Sequence, residues 1–307
     1  HLSDRRQRQM CIRDRLTLET IYSYLLSDKV KVKIEKTILG IGMISFVIHL
    51  ILIYLKRYGL INIFEGSNFF DSPIAAIYTP FSFILIYEVY LLIFYLPRSI
   101  TTYITKQYEI ITLIVIRRIF KDLSNLEFSS NWFEIKNDMY FTYDILTALV
   151  LFFMIYLFTY LKENLEKTSI NASLIDLDVQ QFIKIKKIMA SLLIPVFLFI
   201  GIFTFGRWLT TAMPSNISLA IKDVNSLFFD EFFAVLIIVD VLLLLVSFFY
   251  TDLFHKVIRN SGFIISTILI RMSFTVDGVL NNILILASVI FGLGILWIHN
   301  KFSRIVT

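Results

Sequence analysis

Cysteine is almost absent from this sequence, because Cys11 is the only one in 307 residues. An intramolecular disulfide and a metal site built from several cysteines are therefore excluded, and the chain beyond Cys11 has no thiol nucleophile. Glycine and proline are also scarce, with 10 and 5 residues. Together with abundant isoleucine, phenylalanine, lysine, tyrosine and asparagine, this composition is typical of an AT-rich bacterial gene.

Charged residues make up only 17% of the chain, whereas ordinary soluble domains contain about 25%. Hydrophobic residues make up 57%, and phenylalanine alone accounts for 30 positions. Mean hydropathy is +0.75. Apolar runs recur at the length, roughly 20 residues, that a helix needs to cross a bilayer. The sequence therefore predicts an all-α fold, a polytopic transmembrane helical bundle.

Familiar catalytic motifs are also missing. The sequence contains no Walker A, GxGxxG, HExxH, CxxC or GxSxG motif. His49, His255 and His299 have no neighbours at ligand spacing, so we expect His49 to be a packed or hydrogen-bonded residue of a span. We expect no enzyme, no catalytic residue, no metal and no cofactor.

Residues 1–15, HLSDRRQRQMCIRDR, are polar and match no later pattern. They resemble translated adapter read-through, so we expect a sequencing artefact and leave them out of fold reasoning; a genuine basic arm is the alternative. Five arginines and two aspartates give this segment a net charge of +3, out of +5 for the chain. The remaining charge gives no reason to expect a nucleic-acid partner.

The apolar pattern predicts eight spans, of which the third and seventh are the least certain because each begins with polar residues and ends with arginine. Residues 16–36 form a cytoplasmic or interfacial segment before the first span, and residues 163–187 form a cytoplasmic linker between two units, 37–162 and 188–307. The predicted spans are 37–55, 74–97, 101–120, 140–161, 188–206, 228–250, 257–274 and 279–299.

Lysine and arginine in short loops favour the cytoplasmic side of a membrane. With the N-terminus inside, fifteen of these residues lie in inside segments and nine lie outside or at span edges. We therefore expect both termini to be cytoplasmic, in the inner (plasma) membrane of a bacterium.

The two units repeat the same order of features. FILIYEVYLLIF places Glu88 in the middle of one span, and VLIIVDVLLLLV places Asp240 in the middle of another. IITLIVIRR (110–118) then parallels IISTILIR (264–271), and Asp144 and Asp277 each open a last span. Four spans return the chain to its starting side, so the pattern predicts two parallel four-helix repeats related by an axis along the membrane normal.

Each unit resembles the PsiE (phosphate-starvation-inducible) family of bacterial membrane proteins. The matching segments are YEVYLLI, YEIITLIVIRRIFKD and DILTALVLFF in the first unit, and STILIRMSF and VLNNILILASVIFGLGILWIHNK in the second. The chain departs from the family in its double length and in its long 123–139 loop. The resemblance implies a four-helix membrane unit and a membrane compartment more than an activity.

Seven of the charged residues within or at the edges of the predicted spans are the candidate site residues: Glu88, Arg117, Arg118, Asp144, Asp240, Arg271 and Asp277. An ionisable residue at mid-bilayer costs on the order of 2.5–3.5 kcal/mol on insertion scales. We therefore expect the two mid-span acids to be paired, protonated or facing a wet cavity. We expect an acid–Arg–Asp cluster in each unit, with Arg117 and Arg271 turned inward. Arg118 is then expected to extend to lipid headgroups.

Two functions stay open for these charges. In the first, they clamp neighbouring helices of a non-enzymatic membrane protein with a structural, regulatory or stress-response role. In the second, they line the pathway of a small-ion or proton channel or a secondary transporter. A voltage sensor is disfavoured because IRRIFK lacks an arginine at every third position. The expected partner is the lipid bilayer; a homo-oligomer and a small-ion partner stay open.

Overall fold

The structure is a computed structural model that describes residues 22–60, 73–123, 126, 136–169, 177–212, 217–250, 253–276 and 278–306. The segment expected to be a sequencing artefact, 1–15, and the predicted site residue Asp277 lie outside these residues.

The described residues form eight long helices and no strand. The linker predicted at 163–187 is largely helical, because α4 and α5 both extend into it. The helices are α1 (Asp28–Arg57), α2 (Tyr78–Tyr95), α3 (Ile100–Leu123), α4 (Lys136–Ser169), α5 (Leu177–Ala212), α6 (Ile217–Phe249), α7 (Phe254–Ser273) and α8 (Val279–Val306), with a 3-10 turn (Pro73–Ile77) before α2.

Local sequence sets the helix ends. At the start of α1, the Ser27 hydroxyl accepts a hydrogen bond from the Val30 amide (3.4 Å), and lysine and arginine occupy its last turn, where cations favour the helix dipole. Ser99 caps α3 by accepting from the Thr102 amide (3.2 Å). Gly278, with φ +74°, supplies the left-handed backbone that turns α7 into α8. These short turns make α2–α3 and α7–α8 antiparallel hairpins.

Within the described residues, five helices are long and apolar enough to cross a membrane. Helix α2 is apolar but shorter, over Thr79–Tyr95. Helices α3 and α7 are not among the five; they correspond to the two spans that the sequence marks as least certain. The five segments are Tyr22–Arg57 (containing α1), Asp138–Glu163 (in α4), Gln180–Thr204 (in α5), Glu231–Phe249 (in α6) and Val279–Ser303 (in α8).

The outer surface of the helices carries many large apolar side chains. Large apolar side chains such as Met43, Phe152 and Phe199 face outward, while Ser266 and Thr267 are buried. Helix α7 buries the polar side chains of Ser266, Thr267 and Arg271 among its neighbours and exposes the apolar side chains of Ile258, Ile265 and Met272. Such a surface suits a hydrocarbon solvent and not water. Together with the five apolar helices, it makes this chain an integral membrane protein.

Helices adjacent in the chain pack as neighbours within the N-terminal half (α1–α4) and within the C-terminal half (α5–α8). The halves meet chiefly through α4 with α8, α3 with α7, and α2 with α5. At the centre, the Phe158 ring lies edge-on to Tyr108 (5.1 Å between centroids) and 5.7 Å from Phe263. In a bilayer such packing holds helices together through dispersion, since lipid tails are as apolar as the core.

A small residue permits the closest approach at this centre. A Cβ on Gly292 of α8 would overlap the Tyr108 hydroxyl. Gly292 therefore lets the tyrosine of α3 lie against the α8 backbone, the use of small residues that is typical of helix contacts in membranes.

Candidate functional site

Asp240 of α6 and Arg271 of α7 form a fully buried ion pair. Arg271 Nη2 lies 2.7 Å from Asp240 Oδ2, and the two side chains are 3% and 0% exposed. The contact is a charge contact and not a well-directed hydrogen bond, since the N–H groups of Arg271 are not aligned with the carboxylate. Removing both charges from water is costly, so such a pair is stable only when further polar groups surround it.

The further polar group comes from the other half of the chain. The Tyr103 hydroxyl of α3 donates a hydrogen bond to Asp240 Oδ1 (3.0 Å), and Tyr103 is itself buried. Each carboxylate oxygen of Asp240 therefore has one partner, a phenol from the N-terminal half and a guanidinium from the C-terminal half.

Arg118 of α3 and Asp144 of α4 form a second ion pair. Arg118 Nη2 donates to Asp144 Oδ1 (2.8 Å), and Arg118 Nε donates to Asp144 Oδ2. The planar guanidinium thus grips both carboxylate oxygens, the strongest arrangement for an arginine–carboxylate pair. The carboxylate is buried and the Arg118 side chain is 27% exposed.

This second pair is also completed from the other half. Asn282 of α8 accepts a hydrogen bond from Arg118 Nη2 and donates one to Asp144 Oδ1 (2.7 Å). The amide fits between the two charges because it offers both an acceptor and a donor. The ion pair of each half therefore also contacts a side chain of the opposite half, Tyr103 at Asp240 and Asn282 at both Arg118 and Asp144.

A neutral contact joins the halves between these two clusters. The oxygens of Tyr108 on α3 and Ser266 on α7 are 2.7 Å apart. Ser266 donates its own proton to the Ser288 carbonyl (2.7 Å), so Tyr108 is the donor of the pair. Both hydroxyls are thereby satisfied away from lipid.

The prediction for the two adjacent arginines is wrong in part. Arg118 does not extend to headgroups, because it holds Asp144. Arg117 acts on the Glu88 carboxyl electrostatically, but in the described part of the chain Glu88 Oε2 has no hydrogen-bond partner. The N-terminal half therefore contains two separate groupings, Glu88 with Arg117 and Arg118 with Asp144, instead of one acid–Arg–Asp cluster.

Sequence reasoning missed Tyr103 and Asn282. Each is a common polar residue near the end of a predicted span, where it resembles a residue of the membrane interface. The only signal for Tyr103 was the density of polar residues on α3, and Asn282 of α8 had no such signal.

The three described histidines make hydrogen bonds or ring contacts. His49 is buried and hydrogen-bonded to Thr79, which confirms it as a hydrogen-bonded span residue. His255 stacks on His299 (5.3 Å), a pairing that sequence spacing did not reveal. Burial, with Lys256 and Arg259 nearby, lowers the pKa of His255. The described residues contain no group of three or more side chains that could hold a metal ion.

Arg259 contacts a ring nitrogen of His299, with 3.2 Å between Arg259 Nη1 and His299 Nε2. The other nitrogen, His299 Nδ1, lies 3.2 Å from the His255 carbonyl. These contacts indicate that the His255–His299 pair packs one end of the α7–α8 hairpin.

Comparison with protein-family models, with curated proteins and with solved structures found no match to this chain.

Proposed function

We propose that this chain is a non-enzymatic protein of the bacterial inner membrane, related to the PsiE family, whose buried charges clamp two four-helix units together. Its role is structural, regulatory or stress-responsive. The observation that carries the proposal is that the ion pair of each half is hydrogen-bonded by a side chain of the other half, an arrangement we call crossed completion. Tyr103 bonds to the Asp240–Arg271 pair, and Asn282 bonds to the Arg118–Asp144 pair.

Crossed completion favours a clamp over a pathway. A carboxylate whose two oxygens are both engaged by fixed side chains is poorly suited to exchange a proton or an ion. Interhelical polar contacts in membranes contribute about 0.6–1.7 kcal/mol each, so several such contacts, shared by both halves, hold the halves in one register.

The pattern of helix neighbours supports eight spans and a duplication. A two-fold axis along the membrane normal would bring α3 against α7 and α4 against α8, and both contacts occur. Short turns join α2 to α3 and α7 to α8. Helices α3 and α7 bury Tyr103, Tyr108 and Arg271 among helices that are apolar enough to span. With eight spans, the basic segments 28–36 and 254–259 lie on the same, cytoplasmic side.

A second candidate, a proton or small-ion pathway, is favoured by one observation. Glu88 is buried, and its Oε2 has no hydrogen-bond partner among the described residues. A carboxyl with a free oxygen in a dry interior is suited to carry a proton. In this candidate Glu88 and Arg117 act together, and Asp240 with Arg271 is the corresponding pair of the C-terminal half.

Flux measurements separate the two candidates. Purified protein in liposomes is assayed for proton and monovalent-cation flux with and without a proton gradient, beside empty liposomes and the variants Glu88→Gln and Asp240→Asn. The clamp predicts no flux above empty liposomes and a lowered melting temperature for Asp240→Asn. Gradient-driven flux that Glu88→Gln abolishes would establish the pathway and refute the clamp as the sole role.

Topology is tested independently with reporter fusions. A reporter in residues 163–187 and one after residue 301 should both report the cytoplasm. A periplasmic signal from the 163–187 fusion would refute the eight-span arrangement with four spans in each unit.

A further inference from the structure

Three cations surround two neighbouring aromatic rings at one end of the bundle, where α2 ends and α3 begins. Lys31 Nζ lies 5.3 Å from the Tyr95 ring centroid and 5.4 Å from that of Phe94. Lys106 Nζ lies 5.5 Å from the Tyr95 centroid, and Arg98 Cζ lies 5.7 Å from the Phe94 centroid. We call Lys31, Arg98 and Lys106 the rim cluster.

Positive charge in the rim cluster is only partly compensated. In the described part of the chain, the hydrogen-bond acceptor of Lys31 is a neutral phenol, Tyr95 Oη (3.1 Å). Glu35, one turn further along α1, accepts instead from the Tyr87 hydroxyl (2.8 Å). An aromatic face supplies no formal negative charge, so these ring contacts do not neutralise Lys31.

Arg98 and Lys106 each have a carboxylate neighbour, whereas Lys31 has none within ion-pair distance among the described residues. Arg98 Nη2 is 3.6 Å from Asp28 Oδ1, and these side chains are 50% and 80% exposed, so the pair contributes little. Lys106 is paired more closely with Glu109 (2.6 Å). Buried Lys186 lies at the same end of the bundle, because its Nζ donates to the Arg98 carbonyl (3.1 Å).

The location of the rim cluster indicates which kind of anion it would bind. The apolar segment of α2 ends at Tyr95, so the cluster lies at the boundary between the hydrocarbon and the polar headgroups, beside aromatic rings that favour this boundary. Basic side chains gathered between helices at that depth are suited to the phosphate of an anionic lipid.

We propose that the rim cluster is a binding site for the phosphate group of an anionic phospholipid headgroup. Lys31 and Arg98 hold the phosphate oxygens from α1 and from the α2–α3 turn, and Lys106 contributes from α3. The site rests on the assignment to the membrane, and it is independent of whether the buried ion pairs act as a clamp or as a pathway.

The test compares lipid retention by two matched double variants of the full chain. Lys31→Gln/Arg98→Gln removes one lysine and one arginine from the rim cluster, and Lys56→Gln/Arg57→Gln removes the same residue types from the opposite end of α1. Detergent-purified proteins are titrated with phosphatidylglycerol or phosphatidylcholine, and bound lipid is counted by native mass spectrometry. Inorganic phosphate is a third ligand, tested by competition.

The unsubstituted protein and the Lys56→Gln/Arg57→Gln variant should retain phosphatidylglycerol in preference to phosphatidylcholine. The Lys31→Gln/Arg98→Gln variant should lose at least about tenfold in apparent affinity for phosphatidylglycerol. Lys106→Gln, which leaves the Lys31–Tyr95 contact in place, should lose less and provides the test if the double variant does not fold.

Equal retention of the two lipids, or equal losses in the two double variants, would overturn the site. Displacement of phosphatidylglycerol by inorganic phosphate at the same concentration as the lipid would overturn a lipid as its ligand. Neither result bears on ion flux or on reporter topology, so failure of this site is distinguishable from failure of the clamp.

Discussion

Tyr103 and Asp240 are 137 positions apart in the chain, and their buried side chains form a hydrogen bond of 3.0 Å. The bond joins α3 of the N-terminal half to α6 of the C-terminal half. Because Asp240 is also paired with Arg271, one carboxylate connects three helices.

Tyr103→Phe should lower the free energy of unfolding by about 1–3 kcal/mol, because it removes a hydroxyl and leaves Asp240 Oδ1 buried without its donor. Thermal or denaturant unfolding in detergent micelles measures the loss. Tyr156→Phe, at an exposed tyrosine of α4, is the matched control and should change stability by less than about 0.5 kcal/mol. Equal effects at the two tyrosines would count against a stabilising bond between the halves.

Arg271→Met should be among the most destabilising single substitutions, at about 3–5 kcal/mol, since it leaves the Asp240 charge buried and without its cation. The double variant Arg271→Met/Asp240→Leu removes both charges and should be more stable than Arg271→Met alone. Unfolding of both proteins under the same conditions gives the comparison. A double variant as unstable as the single one would argue that Arg271 acts through packing and not through its charge.

Arg118→Lys should cost about 1–2 kcal/mol, because an ammonium group cannot grip both oxygens of Asp144 and also reach Asn282. Arg57→Lys, at the exposed end of α1, keeps the same change of residue type and should be neutral. The measurement is again unfolding in micelles. If the two substitutions behave alike, the paired grip on Asp144 contributes nothing measurable.

Gly292→Ala should destabilise the protein by about 1–3 kcal/mol, because the added methyl group overlaps the Tyr108 hydroxyl and forces the ring away from Ser266. Gly294→Ala is two residues away in the same helix, and its Cβ meets open space. It should be neutral or stabilising by up to about 1 kcal/mol through helix propensity. Equal melting temperatures for the two variants would contradict the close α3–α8 approach.

The positions of the helices could be predicted from the sequence, because polar residues mark both ends of each long apolar segment. The predicted span 279–299 lies within α8 (Val279–Val306), and 101–120 lies within α3 (Ile100–Leu123). The linker was less predictable. Helices α4 and α5 continue beyond their apolar segments, and charged residues such as those around 163 and 184 are compatible with helix as well as with loop.

Side-chain partners followed less well, because the sequence does not fix the rotation of each helix about its own axis. Arg117 and Arg118 differ by about 100° around α3, so a modest rotation decides which of them meets Asp144. The pairing of Asp240 with Arg271 agrees with the expected proximity of acid and arginine in neighbouring spans. Tyr103 and Asn282 could not be found this way, since their partners lie in the opposite half.

The crossed ion pairs have a consequence for biosynthesis. Helices α1–α4 are synthesised before α5–α8. Arg118 and Asp144 can therefore pair before Asn282 is present, and Tyr103 has no Asp240 to bond until the second half is made. The early half is therefore an unfinished intermediate whose polar interior is completed only when the later half is inserted. Two halves synthesised as separate polypeptides would carry the same unmet pairings, and each would find in the other the partner that completes them.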